Sequence, residues 1–111
     1  MLEKEIEKQI VEYAESLGAK ALKLRIDGQN GWPDRTVIFP LVPAFTIEVK
    51  KPGGKLSAKQ KYWHSELWRL GMKNYVVDNI EDAIQILDAR GEVHRIPKAT
   101  YERTVDFYLG D

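Results

Sequence analysis

The feature that most constrains the fold is the run Phe45-Thr46-Ile47-Glu48-Val49-Lys50, in which apolar and polar residues alternate. Successive side chains on a strand point to opposite faces, so Phe45, Ile47 and Val49 form one row and Thr46, Glu48 and Lys50 the other. The run therefore predicts a strand that turns its apolar row to the core and holds a carboxylate and an ammonium one pleat apart on the opposite face. Upstream, the turn signal Gly31-Trp32-Pro33 leads directly into an acid, Asp34. Pro40 and Pro43 break the chain between Phe39 and Ala44. If the chain turns back there, Asp34 lies on the neighbouring strand close to Glu48.

Two carboxylates converging on one point make an oxygen-rich site suited to Mg²⁺ or Mn²⁺. Such an ion polarises a phosphoryl oxygen and acidifies a bound water. A lysine beside it orients or deprotonates that water, or neutralises charge developing on the phosphate. These are the parts of metal-assisted phosphodiester hydrolysis.

Composition narrows the alternatives. A length of 111 residues fits one compact domain, 1–111, and 43% hydrophobic with 31% charged residues is ordinary for a soluble globular chain. Cysteine is absent, which excludes disulfides and thiolate metal sites, and His64 and His94 are far apart in sequence, which argues against a zinc site of the usual kind. No apolar run approaches the roughly 20 residues that cross a bilayer, and the charged N-terminus lacks the apolar stretch of a signal peptide. The expectation is a cytoplasmic protein without membrane contact. Net charge is zero, yet residues 50–73 carry seven bases and one acid. A basic middle of this kind steers phosphate towards the carboxylates, although a solvated helix face would look the same.

Gly31-Trp32-Pro33-Asp34-Arg35, then Ile47-Glu48-Val49-Lys50, then Gly54-Lys55-Leu56-Ser57-Ala58-Lys59-Gln60 resembles the virus-type replication-repair nuclease (VRR-NUC) family of the PD-(D/E)xK superfamily. A Pro-Asp pair and an ExK triplet are common by chance. Their union with the GxPDR form, the GxLSxxQ run and the order of flanking elements is specific. The resemblance implies an α/β fold with a restriction-endonuclease-like αβββαβ core at about 3–90, a mixed central sheet flanked by helices, and a C-terminal extension at 91–111. It also implies a core like that of archaeal Holliday junction resolvases.

Along the chain, residues 2–17 read as an amphipathic helix with Ile6, Ile10, Ala14 and Leu17 on one stripe, stopped by Gly18. In the related nucleases an acid on this helix, about three turns before its terminal glycine, approaches the metal. Glu7 is the matching position, with Glu3 as the alternative. Residues 19–27 read as a strand leading to the polar loop 27–31. Trp32 is expected to pack rather than stack on a base, and Arg35 to contact phosphate or Glu48. Ser57 and Gln60 fit a capping box, while Gln60, Trp63 and Leu67 share an inward face. The resemblance adds that Gln60 lies beside the site, orienting Lys50 or a phosphate. Trp63, Leu67 and Leu70 read as core, Tyr62 and Trp68 as a dimer or DNA surface, and His64 as a helix-face histidine. Residues 73–77 read as a strand, followed by a short helix capped by Asp78 or Asn79. The tail 93–111 carries Tyr101, Val105 and Tyr108 at helical spacing.

The expected function is a Mg²⁺- or Mn²⁺-dependent DNA endonuclease without a small-molecule cofactor. Asp34 and Glu48 would ligate the metal with the Val49 carbonyl and Glu7, while Lys50 would ready the attacking water and Gln60 support it. Arg35, Lys51, Lys55 and Lys59 would hold DNA. Stand-alone members of the family look like Holliday junction resolvases, so the resemblance implies a homodimer acting on four-way junctions in a bacterial, archaeal or phage-infected cell. The alternatives are a nuclease for flaps, ends or duplex DNA in repair or restriction, and a non-catalytic DNA-binding module.

Overall fold

The computed structural model describes residues 1–109, so the last two positions of the 91–111 extension lie outside the described residues. In chain order the elements are α1 (Glu3–Ser16), β1 (Lys20–Leu22), β2 (Arg35–Ile38), β3 (Phe45–Val49), α2 (Ala58–Arg69), β4 (Asn74–Val77) and α3 (Ile80–Asp88). A 3-10 turn (Val93–Arg95) and α4 (Lys98–Leu109) follow. The strands form one mixed sheet in the order β1-β2-β3-β4, antiparallel for the first two pairs and parallel for β3 and β4. The parallel pair is joined through α2, as a crossover between parallel strands requires. Among the described residues no helix is long and apolar enough to cross a membrane.

The helix α1 buries Ile6, Ile10 and Ala14, the stripe expected from their spacing. It ends where the Ala19 N–H returns to the Ala14 carbonyl at 2.9 Å, just past Gly18. One apolar cluster joins this stripe to Ile47 and Val49 of β3 and to Ile86 and Leu87 of α3. The alternation of β3 holds, but both of its faces are covered: every residue from Phe45 to Val49 is buried, Glu48 included. Cross-strand register places Thr46 beside Asn74 and Glu48 beside Val76. That polar row is roofed by α2 and α4, with Thr104 Oγ1 donating to the Val76 carbonyl at 3.0 Å and the Tyr108 hydroxyl to the Asn74 carbonyl at 2.6 Å.

Several expectations change. The strand expected over 19–27 is confined to Lys20–Leu22. Only Ala21 there faces the core, while Leu22 and Leu24 are 39% and 41% exposed, so nothing holds the segment in the sheet beyond that point. Leu70 is 64% exposed rather than core, because it caps the end of α2, past the last turn that packs on the sheet. Trp63 is half-buried, edge-on to Trp32. Trp68 is not a free surface: its Nε1–H donates to the Tyr108 hydroxyl at 3.3 Å and its ring meets Tyr75 edge to face. On α4 the innermost residues are Thr100 and Thr104, with Tyr101, Val105 and Tyr108 half-buried around them. Asn79, not Asp78, caps α3 by accepting the Asp82 N–H at 2.8 Å.

Candidate functional site

Asp34 stands at the entrance to β2. Since Arg35 pairs with Ile47 across the antiparallel ladder, Asp34 comes opposite Glu48. Its Oδ2 accepts the Val49 N–H at 2.8 Å, which fixes the carboxyl against the edge of β3. Glu48 is 2% exposed, and its carboxyl adjoins that of Asp34 closely enough for the two to share a proton. Burial and the adjoining Glu48 push Asp34 up to about 7, against the opposing pull of the Val49 N–H and Lys50. Burial also raises Glu48, and here the hydrogen bond to Asp34 and the Lys50 charge oppose the rise. Two acids confined this closely titrate as one pair that holds a proton near neutrality. Lys50 is half-buried two residues after Glu48 and forms no salt bridge among the described residues.

The pair suits a hard divalent cation. Its donors are carboxylate oxygens, its charge is incompletely balanced, and Glu48 Oε1 is a buried oxygen without a hydrogen-bond partner. Among the described residues no group of three or more His, Asp or Glu side chains is placed to hold a metal ion. The side-chain donors available to an ion are therefore Asp34 and Glu48, with the Val49 carbonyl as the backbone candidate and water for the remainder, a division common for Mg²⁺.

The structure distributes the other candidate residues unevenly. Glu7 accepts the Arg35 Nε–H at 2.8 Å and has Lys23 Nζ at 4.0 Å. Glu3 reaches the end of β3 instead, accepting the Lys51 N–H at 2.8 Å, and its charge contributes to the raised pKa of Glu48. Arg35 does not meet Glu48, one of its two expected partners: besides Glu7 it donates to the Ala21 carbonyl at 3.3 Å. One residue beyond Asp34, its side chain leaves the opposite face of the strand, where α1 lies. Gln60 closes the capping box, its Oε1 accepting the Ser57 N–H at 2.8 Å and its own N–H donating to Ser57 Oγ at 3.1 Å. Lys51, Lys55 and Lys59 are exposed. Trp32 packs, with its Nε1–H donating to Thr36 Oγ1 at 3.0 Å.

Gly31 couples these parts. A Cβ at its position would stand 2.7 Å from the carbonyl carbon and oxygen of Lys59, and its φ of +99° disfavours any other residue. The loop carrying Asp34 is thus seated on the first turn of α2, next to Gln60.

One residue at the site was missed by the sequence reading. His64 is fully buried, and its Nε2 lies 3.6 Å from Glu48 Oε1. The Nδ1 lies 2.9 Å from the Tyr108 hydroxyl, whose proton goes to the Asn74 carbonyl, so Nδ1–H is the donor to Tyr108. Burial holds the ring neutral by lowering its pKa to about 4. The available signal was its spacing: His64 follows Gln60 by four and precedes Leu67 by three, which places it on the inward stripe.

Compared with solved structures, the chain superposes on one titled "VRR_NUC domain" with a TM-score of 0.72 at 28% sequence identity, covering 78% of this chain and 94% of that one. No family model matches the chain, and neither does any curated protein.

Proposed function

Since the chain belongs to the VRR-NUC family of PD-(D/E)xK nucleases, we propose that it is a divalent-metal-dependent DNA endonuclease that resolves four-way junctions as a homodimer. The observation that supports this reading best is the pair Asp34–Glu48, drawn together on adjacent strands with Lys50 following. Mg²⁺ or Mn²⁺ held there supplies charge to polarise a phosphoryl oxygen and to acidify water.

The chain's own residues supply the remainder. Asp34 and Glu48 would hold the ion once their shared proton is lost, with the Val49 carbonyl as a further donor. An acid from α1 would complete the shell through water; Glu7 is the residue the family pattern favours, and Glu3 is the one whose charge bears on Glu48. Lys50 orients the attacking water and offsets negative charge that builds on the phosphate. The Gln60 side-chain NH₂ is free of the capping bond and turns to the phosphate or to Lys50. Lys51, Lys55 and Lys59 grip the DNA backbone without reading its sequence. A domain of this size has little surface for reading a long sequence, so branch structure is the natural target. Cutting two opposed strands calls for two equivalent sites, which a two-fold dimer supplies. Hydrolysis leaves a 5′-phosphate and a 3′-hydroxyl, and the work is cytoplasmic.

Cleavage of four-way junctions, flaps and linear duplex should be compared side by side, for wild type and Asp34→Ala, in Mg²⁺ and in EDTA. The expected result is junction cutting by wild type in Mg²⁺ alone. Preference for unbranched duplex would remove the junction assignment, preference for flaps would move the enzyme to that substrate, and undiminished cutting by Asp34→Ala would remove the site.

A further inference from the structure

The loop that delivers Asp34 also walls a second cavity. Between residues 28–30 and the first turns of α2 lies a recess of about 310 Å³ bordered by Gln29, Asn30, Lys59, Tyr62 and Trp63. Its floor is aromatic: Trp63 meets Trp32 edge to face at 5.4 Å and Tyr62 at 5.5 Å. Tyr62 is 59% exposed, a large ring left uncovered while Trp63 beside it is half-buried. The amides of Gln29 and Asn30 bring hydrogen-bond donors and acceptors to the wall, and Lys59 brings a positive charge to the rim.

This recess is fixed relative to the carboxylate pair. The Gly31 backbone is pressed against Lys59, so the two walls cannot separate without breaking that contact. A larger cavity of about 580 Å³ follows the loop from Lys23 to Asp34, and it shares Gly28, Gln29 and Asn30 with the recess. A strand lying along that cavity beside Asp34 has the recess within reach of an adjoining nucleotide.

We propose that the recess between the 28–30 loop and α2 binds an unpaired nucleobase, so that the favoured DNA carries an unstacked nucleotide next to the scissile phosphate. The proposal rests on the DNA-nuclease reading and narrows its substrate. Aromatic faces, amides and a lysine are together what a nucleotide needs: a surface for its π-face, partners for its base edge and a cation for its phosphate. A base inside a duplex has both faces covered and its edge paired, so it cannot enter. A base freed from its partner can, and a branch point or bulge yields one at the least unstacking cost.

The test uses the intact chain and short DNA duplexes in EDTA, where binding is read without cleavage. One probe carries 2-aminopurine fully paired and another carries it in a single-nucleotide bulge. Wild type is expected to bind the bulged probe about tenfold more tightly and to quench its fluorescence by stacking. Tyr62→Ala should abolish the preference and the quenching while leaving affinity for the paired probe and the melting temperature unchanged. Gln29→Ala should weaken bulge binding alone. Equal affinity of wild type for both probes, or a preference that survives Tyr62→Ala, overturns the base site but leaves the nuclease reading standing. Failure of wild type to bind either probe also overturns the base site, while the nuclease reading stands or falls separately on junction cleavage in Mg²⁺.

Discussion

At the scale of single residues, the chemistry turns on two carboxyls that cannot both ionise without loss. Asp34 titrates at about 7 in the folded chain against an ordinary 3.8, so the folded state holds a proton that the unfolded state has released in between. Its contribution to stability is therefore full below pH 3.8 and is lost as pH rises through 7. Asp34→Asn should melt higher than wild type at pH 8, with the gain shrinking towards pH 4, and should not cleave DNA. A gain of ~1 kcal/mol moves the melting temperature of a domain this size by about 4–8 °C. An Asn variant that melts no higher than wild type at pH 8 contradicts the mutual destabilisation of the pair. Mn²⁺ or Mg²⁺ should raise the melting temperature of wild type at pH 8 but not that of Asp34→Asn, because only an intact pair binds the ion in preference to the unfolded chain.

At the scale of elements, the site is a docking problem between the Gly31 loop, α2 and α4. Gly31→Ala drives a methyl into the Lys59 backbone and strains a positive φ. Melting and cleavage should both fall, by about 1–3 kcal/mol in stability, because the loop must lift Asp34 away from Val49. The helix α4 enters through Tyr108, which joins His64, Trp68 and the Asn74 carbonyl. Tyr108→Phe leaves the Asn74 carbonyl and the His64 ring without their partner, and about 1–3 kcal/mol of stability should be lost in denaturant titration. A Phe variant as stable as wild type would mean that water takes over both bonds. The capping box of α2 was legible from Ser57 and Gln60 because both partners lie within one turn. The roofing of Glu48 by His64 was not, because its meaning depends on which strand α2 crosses.

For the whole molecule, the balance of charge hides its distribution. Net charge is zero, yet Lys51, Lys55 and Lys59 stand exposed in one short stretch that runs from the end of β3 into the first turn of α2. Each lysine that meets a phosphate releases counterions and steepens the salt dependence of binding by roughly 0.9 in log–log slope. Replacing all three by alanine should flatten that slope by up to about 3 and weaken binding similarly across sequences, as fluorescence anisotropy across a salt series will read. An unchanged slope would move the DNA path elsewhere. Local information in the chain determined the strand bearing Glu48, the meeting of Asp34 with it and the cap of α2, because periodicity and short spacings act within a few residues. Tertiary structure alone decided that Glu3 rather than Glu7 reaches the end of β3, that Arg35 turns to α1, and that His64 and α4 close over Glu48. Those choices depend on which distant segments share a face of the sheet, and pairings between segments so far apart in the chain leave no periodic trace in it.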